Sequence, residues 1–262
     1  MTPANQGLFT SVISTGAQKV VTNLESPNAN NLTKLTGSIS NLKVTRASAS
    51  FVFTQEDQTG LGVVAVAAAI AGLGGQAMAA ASNASAVEEE ADYLEFEVNG
   101  EPVKGWVWRN PFQNGDVVSI AAARSEAHWE SYGMARLNDR TIALYPHCSR
   151  GRARHFVNAF KWWFFGAGGF VSFVGIPLFY FTAGERFFEI KEIPIALLGL
   201  MAFFGVMTFS LSMKWMPFVR VAEKIFRTLD LPNPSNIDLV KSTKTKRAEH
   251  DPGELGAFYF RY

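Results

Sequence analysis

The sequence is poor in cysteine and in net charge, and both shortages exclude classes of protein. Its 262 residues include one cysteine, Cys148, so the chain can form no internal disulfide and carries no mark of an oxidising compartment. The 24 Lys and Arg residues are almost balanced by 23 Asp and Glu residues, and the net charge of +1 argues against a dedicated nucleic-acid-binding protein. A mean hydropathy of +0.06 is low for a polytopic transporter and fits one soluble domain joined to a small membrane part.

The residue patterns that carry catalysis are also sparse. The four histidines, His128, His147, His155 and His250, form no H-x-x-x-H pattern, and the single cysteine excludes C-x-x-C, so we expect no metal and no cofactor. His147 and Cys148 are adjacent, which invites a nucleophile hypothesis. Adjacent residues at a strand end point to opposite faces, however, so His147 is poorly placed to activate the thiol and a polar linker is the favoured interpretation. The sequence therefore predicts no catalytic residues and a non-enzymatic protein.

Charged side chains are missing altogether from two long apolar runs, 162–183 and 193–213. Each run is about 20 residues long, the length that a helix needs to cross the hydrocarbon core of a bilayer. A helix on the surface of a soluble protein would carry polar residues along one face, and these runs do not. They predict a transmembrane hairpin within residues 150–216, with a helix kink at Pro177. The alternative is a buried helical hairpin in a soluble protein.

The charges that flank the two runs predict an orientation in the membrane. Both outer flanks are basic, whereas the connector 184–192 mixes acidic and basic residues. Because cytoplasmic flanks carry the excess of Lys and Arg, both termini should be cytoplasmic and the connector should lie outside. The basic residues of the two flanks are Arg150, Arg152, Arg154 and Lys161 before the first run, and Lys214, Arg220, Lys224 and Arg227 after the second.

Before the hairpin, the sequence predicts a polar N-terminal arm and then a β-domain. Residues 1–36 are polar, and a short helix over 11–24 is one option for them. Residues 37–149 show alternating segments bounded by turn residues, which favours a small antiparallel β-barrel, OB-like or SH3-like. The strongest local signal is Asn99-Gly100, which is typical of a type I′ turn between two strands. The strand segments are 37–54, 93–98, 103–108, 117–120, 128–134 and 141–145.

An Ala/Gly-rich insert interrupts the predicted barrel at residues 60–90. Its flanks are acidic, and one membrane crossing here would place the strands before and after it on opposite sides of the bilayer. Small side chains allow helices to approach closely, so we expect a helical hairpin broken near 72–75. It would pack on the barrel, on the membrane surface or on a partner.

The C-terminal part, 217–262, predicts an amphipathic helix followed by a polar tail. The apolar residues Phe218, Ala222, Ile225, Phe226 and Leu229 recur at helical spacing. The charged residues on the opposite face, which should be exposed, are Arg220, Glu223, Lys224 and Arg227. Residues 235–255 are polar, and we expect them to be loosely ordered. The final segment, FYFRY, should fold back onto the barrel. The predicted fold class is thus an α+β membrane protein.

Four glycines in the apolar runs are candidate contacts for another helix. Gly166, Gly169, Gly199 and Gly205 offer no side chain, so a neighbouring helix could pack closely against their backbone. They are the candidate helix-packing or partner-contact residues that the sequence provides.

Several segments of the chain together resemble one group of small bacterial inner-membrane proteins encoded beside type VI secretion effectors, some of which carry the label of type VI secretion effector. That group is similar to the polytopic immunity proteins that protect against colicin-like, membrane-depolarising toxins. The resemblance spans roughly residues 37–229 and includes no catalytic motif. The segments that carry it are SASFVFTQEDQ, EEEAD, GEPVKGWVWRNPFQNGD and ALYPHCSRGRARH leading into KWW.

The resemblance implies a non-enzymatic immunity protein of the bacterial inner membrane, multi-pass with both termini cytoplasmic, that binds and neutralises a cognate membrane-targeting toxin. Its expected partners are the lipid bilayer, the toxin protein and, as an option, further copies of the chain. Two alternatives stay open. One is an effector that inserts into a target membrane, and the other is a membrane-anchored scaffold that recruits a partner through its barrel.

Overall fold

The structure, a computed structural model, describes residues 9–15, 18–24, 32–49, 89–125, 127–188, 190 and 192–262. The chain divides into two compact units. The barrel unit comprises the described residues up to 149 together with 224–232 and 239–262. The hairpin unit comprises 150–223 and 233–238. Strands and helices coexist, so the predicted α+β class is confirmed.

The described strands form a two-stranded sheet and a larger sheet that closes into a barrel. The strands are β1 (Phe9–Thr15), β2 (Gln18–Leu24), β3 (Thr33–Ala49), β4 (Glu89–Val98), β5 (Glu101–Val107), β6 (Val117–Arg124), β7 (Trp129–Arg136), β8 (Thr141–Leu144) and β9 (Phe260–Arg261). The helices are α1 (Arg152–Ala183), α2 (Glu192–Lys214), α3 (Met216–Thr228) and α4 (Leu239–Lys246).

Strands β3 to β7 make the barrel that the sequence predicted. They lie in the order β5-β4-β3-β6-β7, and a parallel pairing of β5 with β7 closes the ring. The first barrel strand thus lies between the second and the fourth, while the third and fifth run parallel. This is the strand order of OB-fold topology. The interior is filled by alternate side chains such as Leu94, Phe96, Val98 and Val103, all at most 3% exposed.

Strand β3 belongs to both halves of the barrel because it is long and bent. It has 17 residues and pairs antiparallel with β6 through its first half and with β4 through its second. A bulge between Ser40 and Lys43, with Asn41 at a φ of 53°, turns the strand from one half to the other. The predicted segment 37–54, which could be one long bent strand or two, is a single strand that starts earlier, at Thr33, and is described as far as Ala49.

The hairpin between β4 and β5 confirms the predicted turn. Asn99 and Gly100 have φ values of 54° and 81°, as a type I′ turn requires. The turn is locked from outside, because the Asn99 side-chain amide donates to the Thr36 carbonyl oxygen at 2.9 Å.

The N-terminal arm differs from the short-helix option. Strands β1 and β2 pair as an antiparallel hairpin in the region where 11–24 was considered helical, so that option is wrong. The β-branched residues Val12, Ile13, Val20 and Val21 favour extended backbone. The predicted helical insert lies outside the described residues, except that Glu89 and Glu90 at its end belong to β4.

The C-terminal part contains the predicted amphipathic helix but no loose tail. Helix α3 buries Ala222, Ile225 and Phe226 completely. After it, the tail folds: α4 buries Leu239, and β9 pairs with β8. The expectation of a loosely ordered segment is wrong, whereas the return of FYFRY to the barrel is confirmed.

Two long-range contacts explain why the tail is ordered. The Arg261 guanidinium donates to both carboxylate oxygens of Asp251 at 2.8 Å. The Thr243 hydroxyl accepts the Arg261 backbone N–H at 2.8 Å, which ties α4 to β9. The contact of Arg261 with Asp251 is bidentate and charge-assisted, and it is therefore geometrically specific.

Closure of the barrel depends on Gly105, which leads to a first prediction. A β-carbon at this residue would lie 2.5 Å from the Ser131 carbonyl oxygen on the facing strand. Gly105→Ala should therefore lower the free energy of unfolding by about 2 kcal/mol, because the paired strands must move apart. The measurement is denaturant unfolding of the detergent-solubilised protein. Gly253→Ala is the matched control, since its β-carbon would meet nothing within 4 Å; equal stability of the two variants would contradict the assigned closure.

Candidate functional site

The two helices of the hairpin unit are long and apolar enough to cross a membrane. Their most apolar stretches have mean hydropathies of 1.7 for α1 and 2.0 for α2, and only 11% and 6% of those stretches are buried. Large side chains therefore stand in the open, with Phe173 and Phe181 more than 80% exposed. The boundaries agree with the predicted spans, although α1 begins ten residues before its apolar run, at Arg152.

Helix α1 contains two widened turns of π-helix, at Trp163–Ala167 and Val171–Gly175. The second ends just before Pro177, which has no backbone N–H and whose ring crowds the carbonyl of Phe173 in a regular helix. A widened turn at this point relieves the crowding, so α1 continues to Ala183. The sequence predicted a kink at Pro177. In the structure, the helix changes to a π-helical hydrogen-bond pattern just before this residue.

Three of the four candidate glycines lie on open surface. A β-carbon added to Gly166, Gly169 or Gly199 would meet nothing within 4 Å. Their proposed role in contacts with another helix stays a prediction, and the structure leaves them accessible for it.

Gly205 packs against the other helix of its own hairpin, which is one of the two kinds of contact, helix packing or partner contact, for which it is a candidate. The Trp163 indole N–H donates to the Met201 carbonyl oxygen at 3.1 Å. A β-carbon on Gly205 would lie 3.2 Å from the same indole nitrogen, so any side chain at this residue would make the ring shift by a few tenths of an ångström. The residue contacts the other helix of its own hairpin, which nothing in the sequence distinguishes from contact with a partner.

The antiparallel helices are tied a second time toward the start of α1. A ring nitrogen of His155 donates to the Ser212 carbonyl oxygen at 3.0 Å, and the rings of Phe156 and Phe209 stack with centroids 6.4 Å apart. The buried carboxylate of Glu223 accepts the Arg152 backbone N–H at 2.8 Å and lies 3.2 Å from the Arg152 guanidinium. Glu223 is thus not on the exposed face of α3, where the sequence placed it.

A groove runs along the seam of the hairpin. Its volume is about 340 Å³. Small residues form its floor and aromatic rings form its walls. The sequence analysis missed it because only glycines were considered, although Gly205, Thr208 and Ser212 recur at helical spacing. The lining residues are Phe156, Ala159, Phe160, Trp163, Gly205, Thr208, Phe209 and Ser212.

The barrel unit contains a second cavity, of about 260 Å³, beside His147 and Cys148. A ring nitrogen of His147 lies 2.9 Å from a Glu89 carboxylate oxygen, and its ring meets Trp108 edge-on at 5.0 Å. Burial raises the pKa of the Cys148 thiol well above its ordinary value, so the thiol stays protonated and unreactive at neutral pH.

The argument from strand alternation is wrong at this place. Strand β8 ends at Leu144, and His147 adopts a left-handed conformation with a φ of 66° in the turn that follows. Both His147 and Cys148 consequently line the same cavity. Within the residues that the structure describes, no three His, Cys, Asp or Glu side chains are grouped to hold a metal.

An aromatic cluster covers part of the outer surface of the barrel. Trp106 is buried beside Ala47 and Ala91, with Tyr93 and Tyr145 packed against them. The rings of Tyr93 and Trp106 are 4.9 Å apart. These side chains point away from the barrel interior, so they form a second apolar layer that strand alternation predicts as surface.

Comparison with known proteins provides no relative. No protein-family model, no curated protein and no solved structure matches the chain.

The contact of Trp163 with Gly205 leads to a second prediction. Gly205→Leu should force the indole away from α2 and lower the melting temperature of the detergent-solubilised protein, because overpacking costs about 1–3 kcal/mol. The matched control is Gly199→Leu on the same helix, whose new side chain meets open space. Circular dichroism on heating measures both. Equal melting temperatures would contradict an internal role for Gly205.

Proposed function

We propose that the chain is a two-span protein of the bacterial inner membrane that acts without catalysis, as an immunity protein against a membrane-targeting type VI secretion toxin. The observation that supports membrane insertion is the exposed apolar surface of α1 and α2. The immunity role is supported by the resemblance of residues 37–229 to proteins encoded beside such effectors.

The exposure of the hairpin separates the membrane proposal from its alternative. In a soluble protein, an uncharged helical hairpin belongs in the core, whereas here only 11% and 6% of the apolar stretches are buried. Leaving such surface in water forgoes about 25 cal/mol for every Å². A bilayer removes this cost, and the helix lengths match its thickness.

The charge distribution supports the proposed orientation. Lys161 precedes the first apolar stretch, and Arg220 and Arg227 follow the second. All three cations on these two outer flanks are exposed. On the positive-inside rule, these flanks and the barrel sequence lie in the cytoplasm. The connector then faces the periplasm, where a toxin that inserts from outside first meets the protein.

Two other functions are weighed against immunity. An effector that enters a foreign membrane normally needs latent or amphipathic helices and a delivery domain, and this hairpin is apolar all round. A scaffold function would rely on the barrel, but the aromatic cluster on its outer surface is centred on Trp106, which is only 4% exposed. Expression of the protein alone discriminates the effector: growth arrest without any toxin would favour the effector over immunity.

The orientation gives a third prediction. In an Arg186→Cys variant, the new thiol should react in intact spheroplasts with a membrane-impermeant maleimide, because Arg186 is exposed in the connector. In a Glu249→Cys control, the thiol should react only after lysis. The native Cys148 is 1% exposed and contributes little background. Labelling of Arg186→Cys only after lysis would overturn the orientation.

Protection gives a fourth prediction, and it separates the hairpin from the barrel as recognition element. Replacing 150–216 with an unrelated two-span hairpin should abolish protection against the toxin encoded beside the gene. Gly199→Leu should lower protection while insertion is unchanged, since a bulky side chain blocks close approach to that face of α2. The measurement is survival of co-expressing cells, with membrane fractionation as control. Full protection by the swapped protein would assign recognition to the barrel.

A further inference from the structure

We propose that the groove on the hairpin seam is a self-association surface, which pairs with the same groove of a second copy of this chain inside the membrane. The inference rests on the proposed membrane insertion. It concerns a different face of α2 from Gly199, which it leaves open to a toxin. The hydroxyl groups, the shape and the charges of the groove support this pairing.

The groove contains two hydroxyl groups that make no hydrogen bond within the described part of the chain. Ser212 is 6% exposed and lines the groove, yet its hydrogen bonds use backbone atoms, including the carbonyl oxygen that accepts from His155. Thr208 likewise lines the groove with an unbonded hydroxyl. Other threonines in helices bond back to their own helix: the Thr182 and Thr243 hydroxyls donate to the carbonyl oxygens of Leu178 and Leu239 at 2.9 and 2.7 Å.

Hydroxyl groups in hydrocarbon are stabilised by a partner, because the bilayer core offers no water. A lipid acyl chain would fill the groove but can accept no hydrogen bond. A second copy brings its own Thr208 and Ser212, and each hydroxyl both donates and accepts. Interhelical hydrogen bonds of this type and small residues at the contact are what hold helices together in membranes.

The shape of the groove is suited to a partner with the same shape. The floor of Ala159 and Gly205 is low, while the rings of Phe160 and Phe209 are 60% and 59% exposed and stand above it. In a two-fold symmetric interface, the same surface patch must carry both a projecting group and a hollow, so that the projection of each copy fits into the hollow of the other. This groove has both.

The charges on the hairpin do not oppose such pairing. No Lys or Arg lines the groove. Lys161 follows Phe160 by one position, about 100° around the helix, and Lys214 follows Ser212 by two, about 200° around. Both ammonium groups therefore lie away from the seam. Arg152 lies one helical turn before Phe156, on the groove side of α1, but its guanidinium is paired with Glu223 at 3.2 Å.

Disulfide crosslinking in native membranes tests the proposal. In a Thr208→Cys variant, copper-phenanthroline should yield a covalent dimer at least about fivefold more abundant than in Ser210→Cys. Ser210 is an exposed residue on the same helix at a similar depth, on the opposite face. Cys148 is buried and serves as an unreactive background in both variants.

A second variant shows whether the groove itself mediates pairing. Ala159→Leu, added to Thr208→Cys, should fill the floor and reduce the dimer to the level of Ser210→Cys, whereas Gly199→Leu in the same background should leave it unchanged. Equal crosslinking of Thr208→Cys and Ser210→Cys would overturn the proposal. So would native mass spectrometry that shows a monomer with one retained phospholipid.

Alkaline carbonate extraction distinguishes a failure of self-association from a failure of membrane insertion. If the protein stays in the membrane pellet but does not crosslink through Thr208→Cys, self-association fails and the membrane function stands. If carbonate releases the protein, membrane insertion fails, and pairing in the bilayer fails with it.

Discussion

The close approach of β5 and β7 is the contact on which the barrel depends. Antiparallel neighbours supply every other pairing in the ring, and they form between strands that follow one another or through the long β3. The parallel pair alone joins the two ends of the sheet, over three register positions from Val103 to Gly105. It removes the open edges that would otherwise pair with other chains. The bend of β3 and the filled interior follow from that closure.

The hairpin unit also has a glycine at a close contact. A β-carbon at Gly105 would overlap the Ser131 backbone, and one at Gly205 would press on the Trp163 ring. In the barrel, the close approach allows a hydrogen-bonded ladder. In the hairpin, it accompanies the hydrogen bond from the Trp163 indole to the Met201 carbonyl oxygen, which would satisfy this polar group in the bilayer that we propose for the hairpin. Glycine therefore marks contact within the protein as readily as contact with a partner.

Local patterns predicted the elements of the fold well, because strand alternation and long uncharged runs act over neighbouring residues. The β4–β5 hairpin at Asn99-Gly100 and the two apolar helices were predicted for this reason. Contacts between distant residues were not predictable. Glu223 looked exposed because its partner Arg152 lies 71 positions away, and the tail looked loose because Asp251 and Arg261 are acidic and basic residues without visible partners. Among the candidate site residues, Gly205 contacts the other helix of its own hairpin, and the hydroxyls of Thr208 and Ser212 were overlooked.

The pairing of β9 with β8 sets an order of events during synthesis. The larger sheet is complete only when Phe260 and Arg261 join a strand that was translated more than a hundred residues earlier. Both apolar helices leave the ribosome before that last strand does. The domain must therefore wait, with one edge of β8 uncovered, until the intervening segments have been synthesised. A chain stalled or cleaved after α2 would expose an unpaired strand, which gives quality-control proteases a means of recognising unfinished molecules.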